Sequence, residues 1–242
     1  MKLLIIRHAD PDYEKDSLTE KGFREAEFLA ERLTKLNIKA CYVSPYGRAK
    51  VTASCTMEPL GLVGKECKWL REFEPKIMRP DVTDRKMIPW DWLPADWTKE
   101  EKYFDKASWT DTQIFKNSDV EKECKWVWEN LDQLLESHGY KRNGYLYEVQ
   151  AANDDIICFF CHFGVECVLL AHLLNVSPMV LWHGMCAAPS SVTTLTTEER
   201  REGMASFRMS SFGDISHLYA HGEEPSFQAR FCECFASGER HD

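Results

Sequence analysis

Two histidines, two arginines and one carboxylate stand where short apolar runs of this chain give way to polar sequence. Arg7-His8 follows residues 2–6, Arg48 follows 40–43, Glu72 follows 67–70, and His162 follows 156–161. The set suits phosphoryl transfer. The group in flight carries negative charge on three equatorial oxygens, which guanidinium forks hold by paired hydrogen bonds. A neutral imidazole is a competent nucleophile near pH 7, and its phosphorylated form is labile enough to hydrolyse. A second imidazole, His162, adds a donor to the phosphoryl oxygens. A carboxyl group with a raised pKa protonates the leaving oxygen and later draws a proton from water.

For these groups to meet, the apolar runs must lie side by side. Residues 2–6, 40–43, 67–70, 156–161, 191–196 and 206–209 read as strands, mostly continuous in their apolarity and so buried on both faces. Between them, Thr19 caps a helix to about residue 35 with Phe23, Ala26, Leu29 and Leu33 on one stripe. Ser44-Pro45 is a helix start, a capping hydroxyl followed by proline at the first helical position. Ser118 and Glu121 form a capping box before a helix to about residue 138. An apolar helix follows from about 165 to 174. The alternation implies a three-layer α/β/α sandwich with a mostly parallel central sheet, whose strand ends are the usual place for a site. The chain is expected to be a single domain over residues 1–242 with a cap insertion at about 75–117, irregular and rich in tryptophan.

Composition bounds the partners. The net charge of −9 disfavours nucleic acid and anionic membranes. No apolar run reaches the roughly 20 residues of a membrane span, and the opening apolar run is too short for a secretory signal. Ten cysteines, mostly in apolar stretches, read as reduced and buried, which points to the cytoplasm. Nothing sets an oligomeric state.

Five segments then carry a resemblance. Arg7-His8-Ala9 resembles the Arg-His-Gly signature of the histidine phosphatase superfamily, the phosphoglycerate-mutase-like fold. Leu18-Thr19-Glu20-Lys21-Gly22 with Ala26 is similar to its Leu-Thr-x-x-Gly-x-x-Gln-Ala helix start, with Glu25 in place of glutamine. The run from Ser44-Pro45 through Arg48-Ala49 to Thr52-Ala53, Leu70-Arg71-Glu72, and Cys161-His162-Phe163-Gly164-Val165 match three further motifs in the family's order. The resemblance implies His8 as phosphorylated nucleophile, Arg7, Arg48 and His162 as phosphate ligands, and Glu72 as proton donor. Glu74 stands as a rival to Glu72, because the family's usual glycine is missing after it. No metal or organic cofactor is implied. The expected activity is phosphatase action on a small phosphorylated substrate through a phosphohistidine. The alternatives are a mutase of the same superfamily and a non-catalytic module that binds a phosphorylated ligand.

Several other residues invite chemistry and have plainer readings. Cys158 and Cys161 are spaced C-x-x-C, but three positions along a strand put them on opposite faces. Cys232-Glu233-Cys234 has no matching pair for a metal. His217, Tyr219 and His221 alternate as on a surface strand or turn. The tryptophans of the insertion are expected to form a small satellite core, with Lys76, Arg79, Arg85 and Lys86 on a solvated loop. His183 is expected to approach the site from its opposite wall.

Overall fold

The computed structural model describes residues 1–228 and Cys234. In chain order its strands are β1 (Lys2–Arg7), β2 (Pro11–Asp12), β3 (Ser17–Leu18), β4 (Ile38–Val43), β5 (Lys65–Glu66), β6 (Tyr140–Asn143), β7 (Leu146–Val149), β8 (Ile156–Cys161), β9 (Val192–Arg201) and β10 (Met204–Asp214). Its helices are α1 (Glu20–Leu33), α2 (Gly47–Leu60), α3 (Pro94–Trp97), α4 (Gln113–Lys116), α5 (Val120–Ser137), α6 (Phe163–Leu174), α7 (Pro178–Gly184) and α8 (Ser216–Ala220).

Eight strands form one sheet in the order β5-β4-β8-β1-β9-β10-β7-β6. Alternation along the central strands divides the interior. Leu3, Ile5, Phe159 and Cys161 face one cluster, which reaches α5, α6 and α7; Leu4, Ile6, Cys158 and Phe160 face the other, with Leu29 of α1 and Ala53 of α2. Cys158 and Cys161 thus lie on opposite faces of β8, as strand geometry requires.

The layered α/β architecture stands, with a mixed sheet. β5, β4, β8 and β1 pair in parallel, and the remaining pairings to β6 are antiparallel. The antiparallel half is made by two hairpins. β6–β7 turns over Gly144-Tyr145, with Gly144 at φ 59, a conformation glycine takes without steric cost. β9–β10 turns at Gly203, and both strands outrun the short apolar runs that announce them.

Local starts also differ from expectation. Thr19 does cap α1, accepting from Gly22 N–H. α2, however, begins at Gly47 rather than Pro45, because the Ser44 hydroxyl is engaged with His162 and Tyr46 N–H. The third expected strand, 67–70, does not form: the strand there is β5 at Lys65–Glu66, and a 3-10 turn occupies Lys68–Leu70. At α5 the cap residue is Asp119, with no side-chain cap bond; Ser118 Oγ accepts from Val120 N–H instead of forming the expected box.

The segment 75–117 holds only an isolated bridge, Ile77 to Met87, a 3-10 turn and α3 and α4. Its Trp92, Trp97, Tyr103, Trp109 and Phe115 are not a satellite. They are continuous with the main cluster, and Trp109 packs edge-on against Trp182 of α7 at 5.8 Å. Arg79 is not on a solvated loop either. It is 2% exposed, grips Asp81 through two nitrogens at 2.6 and 3.0 Å, and donates to the Trp90 and Asp91 carbonyls. Among the described residues no helix is long and apolar enough to cross a membrane.

Candidate active site

β1 and β8 end side by side, and the two histidines follow directly. His8 N–H donates to Cys161 O (3.0 Å), which extends the parallel pairing one step and sets the His8 and His162 rings 5.0 Å apart at 59°. His8 Nδ1–H donates to its neighbour's carbonyl, Ala9 O, at 2.8 Å. That bond fixes the tautomer and leaves the Nε2 lone pair free. Burial pushes the His8 pKa well below that of an ordinary histidine, and Arg7 and then Arg48 push it further. The ring is therefore neutral near pH 7.

His162 is the N-cap residue of α6 and is fully buried. Its Nε2 lies 2.7 Å from Ser44 Oγ, which also accepts from Tyr46 N–H at 3.3 Å. The Ser44 hydroxyl has no other acceptor among the described residues, so its proton goes to Nε2, which places the imidazole proton on Nδ1. That Nδ1 is buried with no acceptor among the described residues. Burial also holds the His162 pKa well below its usual value, followed by the charges of His8, Arg48 and Arg7.

The two guanidiniums are oriented from behind. Arg7 Nη1 donates to Ala187 O (2.6 Å) and Gln228 O (3.2 Å), while its Nε is buried with no acceptor among the described residues. Arg48 Nη1 donates to Asp16 Oδ1 (2.7 Å), and its guanidinium lies over the Tyr46 ring at 4.7 Å and the Tyr13 ring at 5.3 Å. Its Nε too is buried without an acceptor among the described residues. Asp16 also accepts from Gly47 N–H at 2.6 Å. Burial by itself would raise the Asp16 pKa; the bonds from Gly47 and Arg48 outweigh it and hold the carboxyl below its usual range.

Glu72 reaches the first turn of α6. Its Oε1 accepts from Phe73 N–H (2.7 Å) and Val165 N–H (3.2 Å), so a proton on this carboxyl resides on Oε2. Burial raises its pKa and outweighs those bonds and the attraction of Arg7. Gly164 is required here: a Cβ would stand 2.6 Å from Glu72 Oε1 and 2.7 Å from the Trp90 ring. Trp90, from the 75–117 segment, therefore borders the same spot as Glu72. Glu74 is exposed and takes the Tyr46 hydroxyl proton as hydrogen-bond acceptor.

Arg7, His8, Arg48, Glu72 and His162 are thus brought into one cluster, and several supports went unsingled in the sequence. Thr52 Oγ1 accepts from Ala9 N–H at 3.0 Å and ties the loop after β1 to α2; its place in the Ser-Pro motif is the available signal. Asp16 and the Gln228 carbonyl carry no sequence signal. Glu25 accepts from Asp10 N–H at 2.9 Å, and burial lifts its carboxyl to about 7. Glu166, on α6 and 1% exposed, is likewise lifted to about 7 by burial, against the pull of Thr193 and Arg7.

Other expectations are corrected. Both His183 nitrogens are used away from the cluster, Nδ1 donating to Met179 O (2.7 Å) and Nε2 accepting from Trp92 N–H (3.2 Å), so it pins the 75–117 segment to α7. His217 is neither on a strand nor at the surface: it sits in α8, 4% exposed, with Nε2 3.0 Å from Ser190 Oγ. His221 stacks on Phe28 and meets Glu31. Cys232 and Glu233 lie outside the described residues. Among the described residues no group of His, Cys, Asp and Glu could hold a metal ion.

Chemically, the arrangement presents a neutral imidazole with a free lone pair, ringed by N–H donors and flanked by a carboxyl group whose pKa burial raises. It can bind a tetrahedral oxyanion and support nucleophilic attack with acid assistance.

Solved structures share this fold. A phosphoserine phosphatase from Entamoeba histolytica, in complex with phosphoserine, is 19% identical with a TM-score of 0.56 over 90% of this chain and 98% of its own. A mycobacterial glucosyl-3-phosphoglycerate phosphatase complexed with VO3 is 20% identical with a TM-score of 0.57 over 87% and 98%. YhfR of Bacillus stearothermophilus is 18% identical with a TM-score of 0.55 over 90% and 98%. No curated protein matches the sequence. The family model for the histidine phosphatase superfamily (branch 1) matches residues 3–209, and the chain belongs to that superfamily.

Proposed function

We propose that the chain hydrolyses a small phosphomonoester through a phosphohistidine on His8. The observation that supports it most is a set of three buried N–H groups with no acceptor among the described residues, Arg7 Nε, Arg48 Nε and His162 Nδ1, on residues grouped around one imidazole. Leaving such donors unsatisfied costs about 1–3 kcal/mol each, and a dianionic phosphoryl group satisfies all three.

In the first step the His8 Nε2 lone pair forms the P–N bond as the P–O bond to the leaving alcohol breaks. Glu72 gives its Oε2 proton to that oxygen. In the second step the Glu72 carboxylate takes a proton from water, the water oxygen attacks phosphorus, and the P–N bond breaks to return neutral His8 and free phosphate. Glu72 is favoured over Glu74 because it is partly buried, bound at the α6 N-terminus and raised in pKa, whereas Glu74 is exposed and engaged by Tyr46.

The segment 75–117 acts as a cap on the leaving-group side, with Trp90 as the ring that borders Glu72. One domain with this cap is the organisation we assign. Cys41, Cys67, Cys124, Cys158, Cys161 and Cys167 are free thiols and buried, which supports a reducing compartment, the cytoplasm.

The test is a panel of phosphomonoesters that includes phosphoserine and phosphoglycerates, run on the wild type and on His8→Ala. Release of phosphate by the wild type and none by a folded His8→Ala is expected. Equal turnover by both would refute the mechanism.

A further inference from the structure

The chain after α8 doubles back over the site. Lys21 and Arg24 of α1 hold Glu223, at 2.8 Å and 3.1 Å, and Lys21 also donates to the Glu224 carbonyl. These charges, with the Arg24 and Lys21 hydrogen bonds foremost, pull the Glu223 carboxyl down to about 2. Ser226 is 8% exposed. Its hydroxyl donates to Asp10 Oδ1 at 2.5 Å and accepts from Gln228 N–H at 3.3 Å. Asp10 in turn takes the Thr19 hydroxyl on its other oxygen at 2.7 Å, so it is anchored to the start of α1. The turn closed by Ser226 ends with Gln228 O placed 3.2 Å from Arg7 Nη1.

We infer that residues 223–228 are a strap that orients Arg7 for phosphate, and that Ser226 is its positioning residue. The case rests on guanidinium geometry. The group has five N–H donors in a fixed plane. Ala187 O and Gln228 O take Nη1, which has two hydrogens. With both committed, the plane is fixed by two carbonyls, and the edge that carries Nε is turned to the site as a bidentate fork. Ala187 O alone leaves rotation about that single bond. The second carbonyl removes it, and Ser226 holds that carbonyl in place by tying the strap to the loop two residues beyond His8. Ser226 touches no reacting atom, so its effect runs through Arg7.

The inference rests on the phosphate-site reading above, and the test separates the two. Affinity for inorganic phosphate is measured by calorimetry, alongside kcat/KM on the best substrate of the panel. Ser226→Ala is expected to weaken phosphate binding about tenfold and to lower kcat/KM by a similar factor, with its thermal midpoint little changed. Ser226→Thr, which keeps the hydroxyl, restores both. In an Arg7→Ala background, Ser226→Ala adds no further loss, since coupled residues are non-additive. A chain ending at Gly222 reproduces the Ser226→Ala defect or exceeds it; if that chain does not fold, the Ser226 variants decide alone. Unchanged phosphate affinity in Ser226→Ala, or full additivity with Arg7→Ala, would overturn the strap while leaving the phosphatase reading intact. A wild type that binds no phosphate would sink both.

Discussion

At the scale of single residues, each member of the cluster has a partner that sets its state, and the partners make the roles separable. Ala9 O fixes the His8 tautomer, Ser44 that of His162, Asp16 the pose of Arg48. Arg7→Ala and Arg48→Ala each remove a preorganised donor, which costs about 3–4 kcal/mol of transition-state stabilisation; kcat/KM is expected to fall by roughly two to three orders of magnitude, measured at saturating and limiting substrate. Glu72→Gln distinguishes proton donation from binding. Turnover of an alkyl phosphate should fall by about 10²–10⁴, while that of an aryl phosphate, whose leaving group needs no proton, is largely spared. Glu74→Gln is expected to change neither by more than a few-fold, and the reverse pattern would transfer the role to Glu74. Because His8 is depressed well below the usual histidine value, the acid limb of kcat/KM that reports its protonation should lie well below pH 6.5.

At the scale of elements, the pairing of β1 with β8 and the docking of α6 behind them place the chemistry. This part was legible in the sequence, because each site residue sits within a few positions of an apolar run or a helix start, and local order carries that information. What was not legible depends on distant chain. Asp16 reaches Arg48 from the loop before β3, and Gln228 reaches Arg7 across the whole sequence; neither has a local pattern. Arg79 looked like a solvated cation because its neighbours are charged, yet its real partners, Asp81 and two carbonyls, lie in the folded segment. The β6–β7 hairpin is marked in the sequence only by Gly144, because its strands, Tyr140–Asn143 and Leu146–Val149, carry no long apolar run. Arg79→Ala leaves Asp81 as a buried charge without its guanidinium, so it should destabilise by about 3–5 kcal/mol in chemical denaturation. Removing both partners should cost less than the sum of the two single changes.

At the scale of the whole molecule, burial of titratable groups sets the pH range of stability. His8, His162, His183 and His217 are all depressed, the last two to about 4, chiefly by burial. Below about pH 6.5 the unfolded chain binds their protons and the folded chain does not, so stability falls with pH. Glu25 and Glu166 act in the opposite sense. Their carboxyls are raised to about 7, so the folded chain holds protons that the unfolded chain releases from about pH 4.5 upward, and this contribution is lost as pH rises through 7. Replacing both by glutamine should raise the thermal midpoint at pH 8 relative to the wild type by more than at pH 5; an equal effect at both would mean that these carboxyls are not protonated in the folded state. The most direct test of the catalytic account is to quench the enzyme during turnover and locate the phosphoryl group on the protein. An acid-labile, base-stable phosphate on Nε2 of His8 is the expected result. Phosphate on Nδ1 of that ring, on another side chain, or on none while product accumulates would contradict it.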